Sequence, residues 1–159
     1  GGGILLDQGI HLVDLMNLFV GHFVQSKSYI SKSFWKKDVE DNVYALLKNK
    51  KNIFAMIHSS ATLWKHKFHL EISLTKGMII LSGILSGTKS YGKEKITIIR
   101  KSKNSLIPFE KVKNYKIDNS WNKEINSFIS SIKKKSLNSI CGIDDAITTM
   151  KTIKMIYKI

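Results

Sequence analysis

The chain has 159 residues, 43% of them hydrophobic, with 26 Lys and Arg against 12 Asp and Glu and a formal charge of +14 at pH 7. That length allows one domain with a real core, and no apolar run is long enough to span a bilayer. The single cysteine, Cys141, cannot form an internal disulfide, which argues for a cytoplasmic setting.

The chain opens with an apolar segment that reads as a helix from Ile4 to Val20, stopped by Gly21. Phe23 to roughly Lys116 alternates like strands. In DNVYALLKNKKNIFAMIHSSAT, two apolar runs flank a hairpin loop at Lys48–Asn52. In KFHLEISLTKGMIILSG, Phe68, Leu70, Ile72 and Leu74 face one way and His69, Glu71 and Ser73 the other. Thr75-Lys76-Gly77 turns the chain into Met78–Leu81, and KEKITIIRK is a further strand. Lys101 to Lys116, with the only proline, Pro108, reads as a long loop or edge excursion. Two helices close the chain. Asn119 or Ser120 caps the first, Glu124 lies in its first turn, and Lys133–Lys135 suit its C-terminal end. Trp121, Ile125, Phe128, Ile129 and Ile132 form its apolar face. Cys141 precedes the second as an unreactive, partly buried side chain, and Gly142 punctuates. The second helix starts at Asp144 and Asp145 and carries a stripe of Ile143, Ala146, Ile147, Met150, Ile153 and Tyr157. Segregated strands and helices give an α+β fold: a mostly antiparallel, open-faced sheet with helices packed on one face. The other face is left free for a ligand or partner.

The first helix carries a polar line. At 3.6 residues per turn, Asp7, His11 and Asp14 fall within an arc of about 60°, and most of the remaining circumference is apolar. Buried carboxylates are costly unless paired or lining a wet cleft. One reading makes the line the solvent side of an amphipathic helix. The other makes it the wall of an active-site cleft, where an imidazole with a carboxylate one turn away is a proton-transfer unit. Asp and His at this spacing also chelate metals, with His58, His66 or His69 as further ligands. No His-Glu-x-x-His or cysteine pair supports that, and no metal site is expected. A second local feature is Thr62 to Lys67. There Trp64 suits stacking on a sugar, and Lys65 or His66 suits a phosphate or carboxylate. The competing reading is a hairpin whose Trp64 plugs the edge of the core. His58 and His69 read as ordinary strand residues.

GGGILLDQGIHLVDL resembles the G-G-x-x-x-D-x-G-x-H-x-x-D signature in the C-terminal domain of the glucose–fructose oxidoreductase / inositol dehydrogenase (Gfo/Idh/MocA) family. EDNVYALLKNKKNIFAMIHSSATLWKHKFHLEISLTKGMIILSG resembles that family's sheet, and SWNKEINSFISSIKKKS and GIDDAITTMKTIKMIY its closing helices. The resemblance implies one domain of an NAD(P)-dependent oxidoreductase that acts on a sugar, cyclitol or nucleotide sugar at a carbinol carbon. It also implies homo-oligomer contacts through the open sheet. Within the matched motif it implies His11 as the acid/base with Asp7 beside the substrate, and Asp14 as a further substrate residue. Outside the motif, the side-chain chemistry of Trp64, Lys65 and His66 makes them expected substrate contacts. The chain departs from the family pattern in having no G-x-G-x-x-G, no Glu-Lys-Pro lysine and Leu74 where the turn usually has glycine. The expectation is an N-terminally truncated substrate-binding and oligomerisation domain spanning residues 1–159. The Rossmann half that binds NAD or NADP lies elsewhere, and the isolated chain is inactive.

Two alternatives remain from different classes: a non-catalytic oligomerisation domain and a basic module for nucleic acid or another polyanion. The positive charge is nearly all lysine, with Arg100 the only arginine, whereas nucleic-acid readers lean on arginine for bidentate contacts. The lysines also spread over strand ends and helix backs rather than one face. Neither nucleic acid nor a membrane is expected as a partner.

Overall fold

The protein is described by a computed structural model over residues 2–86, 88–102, 105–134 and 142–158. Cys141 and Lys135, to which the sequence assigned a setting, lie outside the described residues. In chain order the elements are a π-helical segment at Leu5–Gly9, α1 at Ile10–Val20, β1 at Phe23–Ser31, β2 at Asn42–Asn49 and β3 at Phe54–Ser60. β4 at His69–Leu74, β5 at Gly77–Ser82, β6 at Lys95–Arg100 and β7 at Phe109–Asn114 follow, then α2 at Ser120–Lys134 and α3 at Ile143–Tyr157. The α+β class and the antiparallel pairing are as expected, but the strands form two sheets rather than one, β1-β2-β3 and β4-β5-β6-β7. They belong to two compact units, Gly1–Thr62 with Asn138–Ile159, and Leu63–Leu137. Among the described residues no helix is long and apolar enough to cross a membrane.

The first unit holds the core. Val43, Ala45 and Leu47 on β2 and Ile57 on β3 are buried on one sheet face, against Leu5, Val13 and Met16 from the first helix and Ile153 and Ile156 from α3. Each fully buried aliphatic side chain contributes about 1.5–3 kcal/mol. The alternate residues Tyr44, Leu46, Phe54 and Met56 are exposed on the other face, so this sheet is open on one side. The α3 stripe differs from expectation. Its buried residues are Thr149, Thr152, Ile153 and Ile156, while Ile143, Ile147 and Met150 are exposed. The two threonines are buried because their hydroxyls are satisfied, Thr152 donating to the Thr148 carbonyl at 3.2 Å and Thr149 to Asp14 at 2.8 Å. Ser26 and Ser28 of β1 donate to the Met155 and Ile156 carbonyls at 2.8 and 2.6 Å, adding to the Lys158 amide that caps Met155 and satisfying Ile156 in the last helical turn.

The Lys48–Asn52 hairpin is built on one side chain. Asn49 Oδ1 accepts from the Lys51 and Ile53 amides at 2.8 and 2.9 Å, and its Nδ2 donates to the Val20 carbonyl at 2.6 Å. Asp41 organises the β1–β2 connection by accepting from the Phe34 and Trp35 amides. Burial pushes its carboxyl up, but these bonds, with those from Asn42 and Ser31, outweigh it and hold Asp41 below the ordinary range.

In the second unit, His69, Ser82, Lys95 and Asn114 are cross-strand partners in one row across all four strands. The polar stretch after Lys101 contains an edge strand, β7. Its residues are all exposed, and charge alternating with single apolar residues hides it from a periodicity reading; edge strands are commonly blunted in this way. Pro108 sits just before it, where no ladder bond is lost. α2 begins where expected, but Asp118 serves its start, accepting from the Ser120 amide at 2.9 Å. Hydrogen bonds from Ser120 hold the Asp118 carboxyl below its usual range. Glu124 falls beyond the first turn. The apolar face of Trp121, Ile125, Phe128 and Ile132 is present but exposed, and no residue of α2 is buried.

Candidate functional site

The first helix begins without a capping side chain of its own. Its start is held instead by Glu40, whose Oε1 accepts from the Leu5 amide at 3.0 Å and from the Tyr157 hydroxyl at 2.6 Å. The Glu40 carbonyl accepts from the Ile4 amide at 3.2 Å. A Cβ at Gly3 would collide with the Glu40 carboxylate, so the glycine is what lets the acid reach the helix end. Gly9 plays a similar part against β3, where a Cβ would come within 2.9 Å of Ser59 Oγ. Two of the motif glycines are therefore close-approach residues that seat the helix on the sheet.

The seating fixes which way the polar line faces. Leu5, Gly9, Val13 and Met16 are buried, and Asp7 and His11 are exposed. The described residues show no hydrogen bond between Asp7 and His11; the Asp7 carboxylate accepts from Gln8 Nε2 at 3.2 Å. Asp7 lies in the π-helical segment, whose wider turn departs from the 3.6-residue spacing that would align it with His11. Single π turns inside α-helices recur at functional sites. Asp14 is half-buried and accepts from the buried Thr149 hydroxyl, which in turn accepts from Asn17 Nδ2 at 3.3 Å. This tie between α1 and α3 escaped the sequence reading, since only the fold brings positions so remote together.

Trp64, Lys65 and His66 belong to the second unit, where they line a cleft of about 630 Å³ over the His69–Ser82–Lys95–Asn114 end of the sheet. Trp64 is wholly exposed and does not plug a core edge. His66 Nδ1 lies 2.7 Å from Ser90 Oγ, and its ring is 5.1 Å from that of Tyr91. His69 pairs with Glu71 at 2.7 Å, and His58 stacks on Tyr44 at 4.2 Å. The part played by Tyr91 and Lys93 in this cleft was not visible from the sequence, because a loop return brings them there. Among the described residues no three His, Cys, Asp or Glu side chains gather as a metal site would need.

The helix, its glycines and the first sheet fall within residues 1–80, which match the family model of the GFO/IDH/MocA C-terminal domain. Solved structures extend the likeness over the fold. The aldose-aldose oxidoreductase from Caulobacter crescentus, solved with glycerol, is 19% identical with a TM-score of 0.76, over 99% of this chain and 45% of that one. The UDP-N-acetylglucosamine 3-dehydrogenase from Acidithiobacillus ferrooxidans is 14% identical, TM-score 0.77, over 98% and 48%. A variant of a 3-ketoreductase from Actinomadura kijaniata, solved with TDP-benzene and NADP, is 16% identical, TM-score 0.71, over 99% and 48%. The chain thus spans less than half the length of each of these structures. No curated protein matches it significantly. A matching family model over half the chain, carried by a glycine-seated helix that presents Asp7 and His11, places this chain in the Gfo/Idh/MocA family of oxidoreductases, as its C-terminal domain.

Proposed function

We propose that this chain is the substrate-side domain of an NAD(P)-dependent oxidoreductase acting on a sugar, cyclitol or nucleotide sugar, with His11 as the proton carrier and Asp7 beside it. The observation that carries the reading is the exposure of both residues on a helix whose opposite face is locked into the core. Such a helix fixes the backbone from which both side chains project, the first requirement for a positioned general acid or base. His11 would accept the proton of a substrate hydroxyl as the carbinol is oxidised and return it in the reverse direction. Asp7 would hold a neighbouring hydroxyl, and Asp14, through Thr149, would keep α1 in register with α3.

The chain has no Gly-rich strand-to-helix turn of the kind that cradles a dinucleotide. Its residues do not fit that cofactor, so NAD or NADP belongs to a domain outside this sequence, and only proton handling is assigned to this one. The open face of the first sheet, with Tyr29, Tyr44, Leu46 and Met56 exposed, suits a contact between copies. A cytoplasmic setting fits the single cysteine.

The test joins this chain to a nucleotide-binding half of a family member and measures turnover on sugar substrates. His11→Ala is expected to lower kcat by about 100-fold or more, the usual share of general acid–base catalysis. Turnover kept within about tenfold would remove His11 from the role.

A further inference from the structure

We infer that Glu40 and Tyr157 are positioning residues for the reaction: together they set the π-helical turn that carries Asp7 and, one turn on, the helix that carries His11. The inference rests on the roles proposed for Asp7 and His11 and adds the groups that hold those two residues in place.

A helix start needs partners for its first amides. The first turn has no capping side chain of its own, and its partners come from remote parts of the fold. The Ile4 amide donates to the Glu40 carbonyl at 3.2 Å and the Leu5 amide to Glu40 Oε1 at 3.0 Å. The Tyr157 hydroxyl donates to the same carboxylate oxygen at 2.6 Å. The Leu6 backbone is the one group that pulls the Tyr157 phenol downward, the effect of an amide directed at its oxygen. On the sheet side, Ser59 Oγ donates to the Ile4 carbonyl at 3.2 Å. The Asp7 amide is the first to find its acceptor within the helix, donating to the Gly3 carbonyl at 2.9 Å. The outside grip therefore ends at the residue where the proposed site begins.

The gripped turn is not one that local sequence would hold. Leu5–Gly9 is π-helical, a geometry rare outside single turns, and its last residue is glycine, a poor helix former. The groups that hold it are themselves fixed. Glu40 is 7% exposed, and its neighbour Asp41 accepts from the Phe34 and Trp35 amides. Tyr157 ends α3, whose Met155 and Ile156 carbonyls are bound by Ser26 and Ser28 of β1. Among the described residues no cation lies within ion-pair distance of Glu40. The buried acid is stabilised by the helix start itself, whose amides and dipole favour a negative group there. Displacing a reacting group by about 1 Å costs on the order of 100-fold in rate, so residues that fix this turn govern turnover without touching the substrate.

The enzyme made by joining this chain to a nucleotide-binding half is assayed with variants of the grip. Glu40→Ala removes the acceptor and should lower kcat/KM for the sugar by about tenfold or more, with KM for the dinucleotide kept within about twofold. Tyr157→Phe removes one bond and should lower kcat/KM by about threefold or more. Glu40→Gln keeps an acceptor in place and should stay within about threefold of the parent. Asn49→Ala releases the far end of the same helix, at the Val20 carbonyl; it costs stability but should leave kcat/KM within about twofold. In the chain itself, Tyr157→Phe should quicken hydrogen exchange at Ile4–Asp7 more than in β2. Any of four results overturns the inference: unchanged kcat/KM in Glu40→Ala and Tyr157→Phe, an equal loss in Asn49→Ala, a loss in Glu40→Gln as deep as in Glu40→Ala, or exchange at Ile4–Asp7 that quickens no more than in β2. His11→Ala in the same enzyme separates the two claims. If it keeps turnover while Glu40→Ala loses it, the His11 role fails and the grip stands; if Glu40→Ala keeps turnover while His11→Ala loses it, the grip fails and the His11 role stands.

Discussion

Asn49 shows how much one side chain can hold. It is 3% exposed and serves two amides of its own hairpin and the last carbonyl of α1. Asn49→Ala strips all three bonds and leaves buried groups unsatisfied, so it is expected to cost about 2–4 kcal/mol, read as a lower urea midpoint at unchanged slope. An unchanged midpoint would mean that water replaces the amide fully. The sequence marks this residue only as part of a polar loop, because nothing in KNKKN distinguishes a buried asparagine from its exposed neighbours. The exposure of Asp7 and His11 was legible for the opposite reason, since a helix so apolar defines its exposed line by elimination, although Asp14 of the same line is half-buried. The burial of Thr149 and Thr152 was not, because a hydroxyl that finds a partner can be buried, and hydropathy alone cannot announce the partner.

At the level of elements, the Glu40–Tyr157 bond joins the start of the first helix, the end of α3 and the connection between β1 and β2. Burial, then the hydrogen bond and negative charge of Glu40, push the Tyr157 phenol well above its ordinary value of 10.0. A phenol raised in the folded state and ordinary in the unfolded one contributes stability that is complete below pH 10 and is lost as pH rises beyond it. Tyr157→Phe is expected to be less stable than the parent at pH 7 by about 1–3 kcal/mol. The gap should narrow above pH 10, as followed by urea unfolding across the alkaline range. A constant gap would show that the phenol is not raised in the folded state. Regular elements were mostly readable, since α1, α2 and the strong strands each carry a periodic pattern. β7 was not, because an exposed edge strand has no buried face to impose one.

For the whole molecule, burial is unequal between the units. Among the described residues the ten buried hydrophobic side chains, Leu5 through Ile156, all lie in the first unit, and the second has only Thr97 among its buried side chains. Amides with little buried surface above them open at low free energy. Hydrogen exchange followed by mass spectrometry is expected to show β4–β7 exchanging at least about tenfold faster than β2 and α3; equal protection would contradict that division. Composition gave no hint of it, because strands of both units are rich in Ile and Leu and only the packing separates them. Gly3 lacks a side chain so that a carboxylate from a different part of the fold can occupy the space. The two positions are therefore not free to change singly: any side chain gained at position 3 has to be answered by a shorter residue at position 40. Across sequences of this fold the opening glycine and the distant acid should come and go together, which makes the motif a correlated pair in space rather than a word read along the chain.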